Sequence, residues 1–161
     1  DAEGREFFFQ HASRSITLIR EDKIPLKNTG KVLVAGQLRA FLNEGKRRYP
    51  EADQFFFPYN PFYHARASDI ESLKNIAGGY DTIIFCLANP AGLDILKDLS
   101  KVRADIIVFS VLTPIYLAEV PWVRSALAAY GTGIESIQAG FAVLNGDFPA
   151  EGKLPVSVAP R

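Results

Sequence analysis

Methionine is missing from the 161 residues altogether, cysteine occurs once and histidine twice. A translated chain starts with Met, so one that opens on Asp1 is expected to be a processed form or a piece of something longer. The lone Cys86 excludes an internal disulfide. It sits in the apolar run Thr82–Leu87, which reads as a small core residue rather than a reactive thiol. With only His11 and His64, neither a Cys/His structural zinc site nor a three-histidine catalytic one can be assembled, so no metal and no cofactor is expected. Net charge is also lacking: 18 basic residues balance 18 acidic ones, which removes the electrostatic drive toward nucleic acid or anionic membranes. No apolar run approaches the ~18 residues that a membrane span needs. A Gly-x-Ser-x-Gly elbow, a Walker loop and an Asn-x-Ser/Thr sequon are all missing.

What is present is a 48% hydrophobic chain, long enough for one domain with its own core. Five continuous apolar runs follow Gly30: Lys31–Gly36, Gln54–Pro58, Thr82–Leu87, Asp105–Ser110 and Ser125–Tyr130. Continuous rather than alternating apolar residues are what a strand covered on both faces requires. Between the runs lie helical periods. Leu38, Phe41, Leu42 and Gly45 line the first, and Ile70, Leu73, Ile76 and Ala77 the second, which opens on a Ser68-x-x-Glu71 capping box. Leu93, Leu96 and Leu99 line the third, starting at Pro90. Ile134, Ile137, Phe141 and Leu144 line the last, opened by a Thr132-x-x-Glu135 box and closed by Asn145-Gly146.

This order predicts an α/β fold: a three-layer α/β/α sandwich around a mostly parallel, doubly wound sheet of about five or six strands with right-handed crossovers. Ahead of it stand a helix over Glu3–Arg14 and an extended hairpin over Ser15–Leu26. The proline-bearing tail from Asp147 to Arg161 is expected to lie extended across the domain.

Ligands of open parallel sheets sit beyond the carboxyl ends of the strands. The loops to inspect are therefore Gly36-Gln37, Pro58–Ala67, Leu87–Pro90, Ser110–Glu119 and Gly131–Gly133. Gly131-Thr-Gly133 resembles a phosphate cradle, but it follows the last strand, and an ordinary strand-to-helix turn explains it. The aromatic segment Phe55–His64 offers Tyr59, Asn60, Tyr63 and His64 as candidates for substrate binding or a domain interface. Packing explains the same aromatic enrichment. His64, beside Arg66 and Asp69, has the makings of a base with an orienting carboxylate, or is a plain solvated loop histidine. Trp122, among Leu117, Val120 and Val123, reads as packing. No complete catalytic constellation emerges, and the catalytic residues read from this chain number none.

Several segments nevertheless resemble, in order, the C-terminal domain of glycoside hydrolase family 3. They are Ser15–Arg20 with Ile24-Pro-Leu26, then Ala128-Ala-Tyr130-Gly-Thr132, Ala139–Gly146 and Gly152-Lys-Leu-Pro-Val-Ser157, and the resemblance runs from about residue 3 to residue 158. It implies an upstream (β/α)8 barrel that binds the sugar and supplies the nucleophilic aspartate of a retaining hydrolase. Residues 1–14 would then be the connecting helix, and 15–161 the sandwich domain. In the family's β-glucosidase branch the acid/base glutamate follows the third strand of this domain. Here Phe85–Pro90 carries no carboxylate at that point, and Asp94 lies a turn further on.

Ser110–Tyr116 and Tyr130 are more similar to the β-N-acetylglucosaminidase branch, whose acid/base histidine and aspartate lie on the barrel. The resemblance therefore implies a non-catalytic C-terminal domain of a β-N-acetylhexosaminidase acting on peptidoglycan-type or chitin-type β-linked GlcNAc. The alternatives are a β-glucosidase domain using Asp94 or Glu135, and a free-standing sugar- or nucleotide-binding protein. The expected partner is the barrel, with the carbohydrate reached through it and no contact with nucleic acid or membrane. Exported, lipid-anchored and cytoplasmic locations all remain open.

Overall fold

The computed structural model of the chain describes residues 1–58, 64–103, 105–147 and 149–150, leaving aside the side chains of 8–10, 12 and 13. Helix α1 (Ala2–Arg14) leads into strand β1 (Thr17–Glu21). The alternation follows: β2 (Val32–Gly36), α2 (Arg39–Arg48), β3 (Asp53–Phe56), α3 (Ala67–Ala77), β4 (Thr82–Leu87), α4 (Pro90–Leu99) and β5 (Ile107–Ser110). A 3-10 helix (Pro114–Glu119) then connects to β6 (Ser125–Ala128), and α5 (Ile134–Leu144) closes the order. All five apolar runs are strands.

The strands form one six-stranded sheet in the order β1-β6-β5-β4-β2-β3. Every pairing is parallel except that of β1 with β6. Successive residues of one strand feed two different cores, which is why the runs had to be apolar throughout. Val34, Ile84, Cys86, Ile107, Phe109 and Leu127 join Phe41, Ile137, Phe141 and Leu144 on the face of α2 and α5, with α1 packed on α5. Leu33, Ala35, Ile83, Phe85, Leu87 and Val108 join Leu73, Leu93, Leu96 and Leu99 on the face of α3 and α4. This is a three-layer α/β/α sandwich.

Three local expectations change. Neither capping box forms: the N-cap positions are Arg66 and Gly133, both extended and without a side-chain cap. The Arg66 guanidinium instead grips Asp69 of the first α3 turn at 2.8 and 3.2 Å, and α3 begins two residues before the box requires. Ile134 falls at the first position of α5 and is 60% exposed, outside the stripe that Ile137, Phe141 and Leu144 bury.

The return after β1 is not its strand partner either. The chain turns at Asp22-Lys23, and the Leu26 N–H then donates to the Leu144 carbonyl at the end of α5, while β1 takes its antiparallel ladder from β6. Arg20 of β1 secures that placement. Its guanidinium donates to the carbonyls of Leu117, Val120 and Val123 at 2.9–3.0 Å, and burial lowers its pKa. The Asn145-Gly146 stop is as expected, with Gly146 at φ +80°, a conformation that favours glycine. The tail reading falls largely on residues outside those described.

Candidate functional site

The connections place one crevice ahead of all others. From β2 the chain runs through α2 to the edge strand β3, then crosses back through α3 to β4 on the other side of β2. The loops after β2 and β4 therefore leave in opposite directions, and the space between them is the topological switch point, where open α/β sheets take ligands. Two amides meet there. Asn89 caps α4 by accepting the Gly92 N–H at 3.2 Å, and its Nδ2 donates to Oε1 of Gln37 at 2.8 Å. Because the cap fixes which end of Asn89 faces Gln37, Nε2 of Gln37 points away from its only described partner. That atom is buried with no hydrogen-bond partner among the described residues. Arg39, the first residue of α2, holds its guanidinium 3.8 Å from the centroid of the Phe56 ring. No carboxylate stands at Ala88-Asn89-Pro90, the turn that leaves β4.

The same edge carries a second pair. Nδ1 of His64 lies 3.2 Å from Oδ2 of Asp94 in the second turn of α4. A carboxylate only accepts, so this contact holds the imidazole proton on Nδ1 and leaves Nε2 outward. The His64 side chain is 78% exposed and Asp94 39%. The pairing corrects the expectation that Asp69 orients His64, since Asp69 is held by Arg66. No local spacing signals a contact across thirty residues; it follows from α3 and α4 packing together on one face. Tyr59, Asn60 and Tyr63 lie outside the described residues.

The remaining candidates have structural occupations. Tyr130, with φ +53°, donates its hydroxyl to Oγ1 of Thr17 at 3.2 Å and so ties the end of β6 to β1. Glu135 stands in the first turn of α5, where a carboxylate complements the helix dipole. Trp122 packs on the α3/α4 core. Cys86 is fully buried, and that burial pushes its thiol pKa far up. Among the described residues no group of three or more His, Cys, Asp or Glu could hold a metal ion.

A hollow of about 400 Å³ lies at the amino edge, between the 22–28 loop and Thr82. Two of its carboxylates are already paired, Asp105 with Lys23 at 3.1 Å and Asp22 with Arg124 at 3.7 Å, and it lies away from the switch point. No helix of the described residues is long and apolar enough to cross a membrane.

No protein-family model and no curated protein matches the chain. Among solved structures, a glycoside hydrolase family 3 β-N-acetylglucosaminidase from Paenibacillus sp. str. FPU-7 matches with a TM-score of 0.83 at 19% identity, over 99% of this chain and 33% of that one. A fungal multi-domain family 3 β-N-acetylglucosaminidase matches at 0.72 and 17%, over 94% and 19%. A family 3 β-glucosidase from Bifidobacterium adolescentis matches at 0.73 and 16%, over 91% and 28%. The chain thus has the fold of a part of these enzymes, and spans about a third or less of their length. At these identities the likeness shows the fold.

Proposed function

We propose that this chain is the C-terminal sandwich domain of a retaining glycoside hydrolase of family 3, a β-N-acetylhexosaminidase that removes terminal β-linked GlcNAc. In that reading residues 1–14 are the helix that connects it to a barrel domain, residues 15–161 are the sandwich, and the barrel carries the nucleophile. The observation that carries the reading is the match of 99% of this chain to a third of a β-N-acetylglucosaminidase. The ordered family motifs support it. The carboxylate-free turn after β4 favours a domain that supplies no acid/base residue, since a retaining mechanism needs its two catalytic groups close together at the sugar.

The test is to express the chain together with the sequence encoded upstream of Asp1 and assay aryl β-N-acetylglucosaminides. The longer polypeptide is expected to hydrolyse them with retention, and the 161 residues by themselves to be inactive. Hydrolysis by the short chain sinks the non-catalytic role. A second reading, a β-glucosidase domain lending Asp94, draws on the position of Asp94 at the carboxyl edge. In the longer polypeptide, Asp94→Asn would then abolish turnover of a β-glucoside; unchanged turnover removes that reading.

A further inference from the structure

The His64–Asp94 pair opens onto a groove of about 430 Å³ that runs between α3 and α4. Its apolar lining is Ala65 and Ile70, and its polar lining comes from α4 and the turn that follows: Asp94, Lys97, Asp98 and Lys101. Two lysines face two aspartates, and these four charges cancel. It selects neither an anion nor a cation. It does offer both donors and acceptors beside the apolar Ala65 and Ile70, which suits a polyhydroxylated ring with one apolar face.

The existing ion pairs do not close it. Lys97 reaches Glu119 at 3.0 Å and Lys101 reaches Asp98, both exposed pairs of the kind that exchange readily with a ligand. On the α3 side Arg66 and Asp69 satisfy each other, as do Lys74 and Glu71. Asp94 is different. Its side chain meets His64, and Nε2 of that ring has no partner among the described residues.

We propose that this groove is a saccharide-binding subsite in which Asp94 positions His64, so that Nε2 accepts a hydrogen bond from a ring hydroxyl. The choice of a saccharide rests partly on the family reading above. Asp94 acts through the imidazole as a positioning residue, holding the tautomer whose Nε2 is a free acceptor.

The chain's two histidines make the test direct. In the ¹⁵N-labelled 161-residue protein, long-range imidazole spectra give one pattern for His11 and one for His64, assigned with His64→Ala. His64 is expected in the Nδ1–H tautomer, and Asp94→Asn is expected to abolish that preference while leaving the amide spectrum folded. Titration with chitobiose and chitotriose should then move Nε2 of His64 and leave His11 in place. His64→Ala and Asp94→Asn should each weaken the apparent Kd by about tenfold, the scale of one good hydrogen bond, and the double variant should be no weaker than His64→Ala.

Equal movement of both histidines, movement with ATP but not with saccharides, or an Asp94→Asn protein that binds as well as the parent overturns the proposal. The family reading fails separately. Should saccharides leave His64 unmoved while the longer polypeptide still cleaves the aryl glycoside, the subsite is wrong and the family stands. Should His64 respond while the longer polypeptide cleaves nothing, the subsite stands on a free-standing binding domain.

Discussion

Gly140 lies where α5 comes closest to the sheet, and replacing it with alanine sets two effects of opposite sign against each other. Alanine is the better helix former by about 0.8–1.0 kcal/mol, so on propensity alone Gly140→Ala stabilises. The added Cβ, however, would stand 2.1 Å from Cζ and 2.6 Å from Cε2 of Phe109. Carbon atoms pack at ~3.5 Å or more, so the ring or the helix must give by roughly 1.4 Å. The ring has no room to do so. Phe109 is fully buried, and its centroid lies 5.3 Å from both Phe41 and Phe141.

Overpacking of this kind costs about 1–3 kcal/mol, and an intrusion so deep belongs at the upper end. After the propensity gain we expect a net loss of about 2 kcal/mol, close to 1 M in the urea midpoint at an m-value of ~2 kcal/mol/M. Gly78 supplies the control. It closes α3 at φ −68°, and a Cβ there would meet nothing within 4 Å. Gly78→Ala should raise the midpoint, by about 0.4–1 kcal/mol in stability. A Gly140→Ala protein as stable as its parent would refute the claim that α5 is seated by the absence of a side chain at that position.

Two more outcomes follow from single contacts. Asn89→Ala removes the α4 cap and strips Gln37 of the donor to its Oε1, so urea unfolding should show a loss of about 1–2 kcal/mol; an unchanged midpoint would mean the cap contributes nothing. Tyr80 tests pH dependence: burial first, then the Asp53 carboxylate that accepts a hydrogen bond from its hydroxyl at 2.7 Å, pushes the phenol up to about 12. Its folded pKa exceeds the unfolded value of ~10, so its contribution to stability is whole below that pH and is lost as pH rises toward about 12. Urea midpoints measured across that window should fall in the parent and fall less in Tyr80→Phe; identical slopes would count against the contact.

The strands, their order along the chain and the two-sided burial of β2, β4, β5 and β6 were readable from the residues, because a strand covered on both faces needs an unbroken apolar run; β3, at the sheet edge, instead leaves Asp53 and Gln54 exposed. Helix starts were less legible. Ser68 and Thr132 have the right spacing for capping boxes, yet α3 starts two residues early and α5 one residue late, and Arg66 took the carboxylate of Asp69. The partner of His64 was not legible at all. Asp69 is five residues away and Asp94 thirty, and sequence distance favours the wrong one. Nor could local pattern show that β1 pairs with β6, or that Gln37 and Asn89 meet across the switch point.

The sequence by itself thus determined the class of fold, through the period and length of its apolar segments, which are local properties of the chain. Tertiary structure alone decided which loops share an edge and which side chains face one another. Those contacts depend on the order of strands in the sheet and on which helices lie together on a face, and no single segment encodes either.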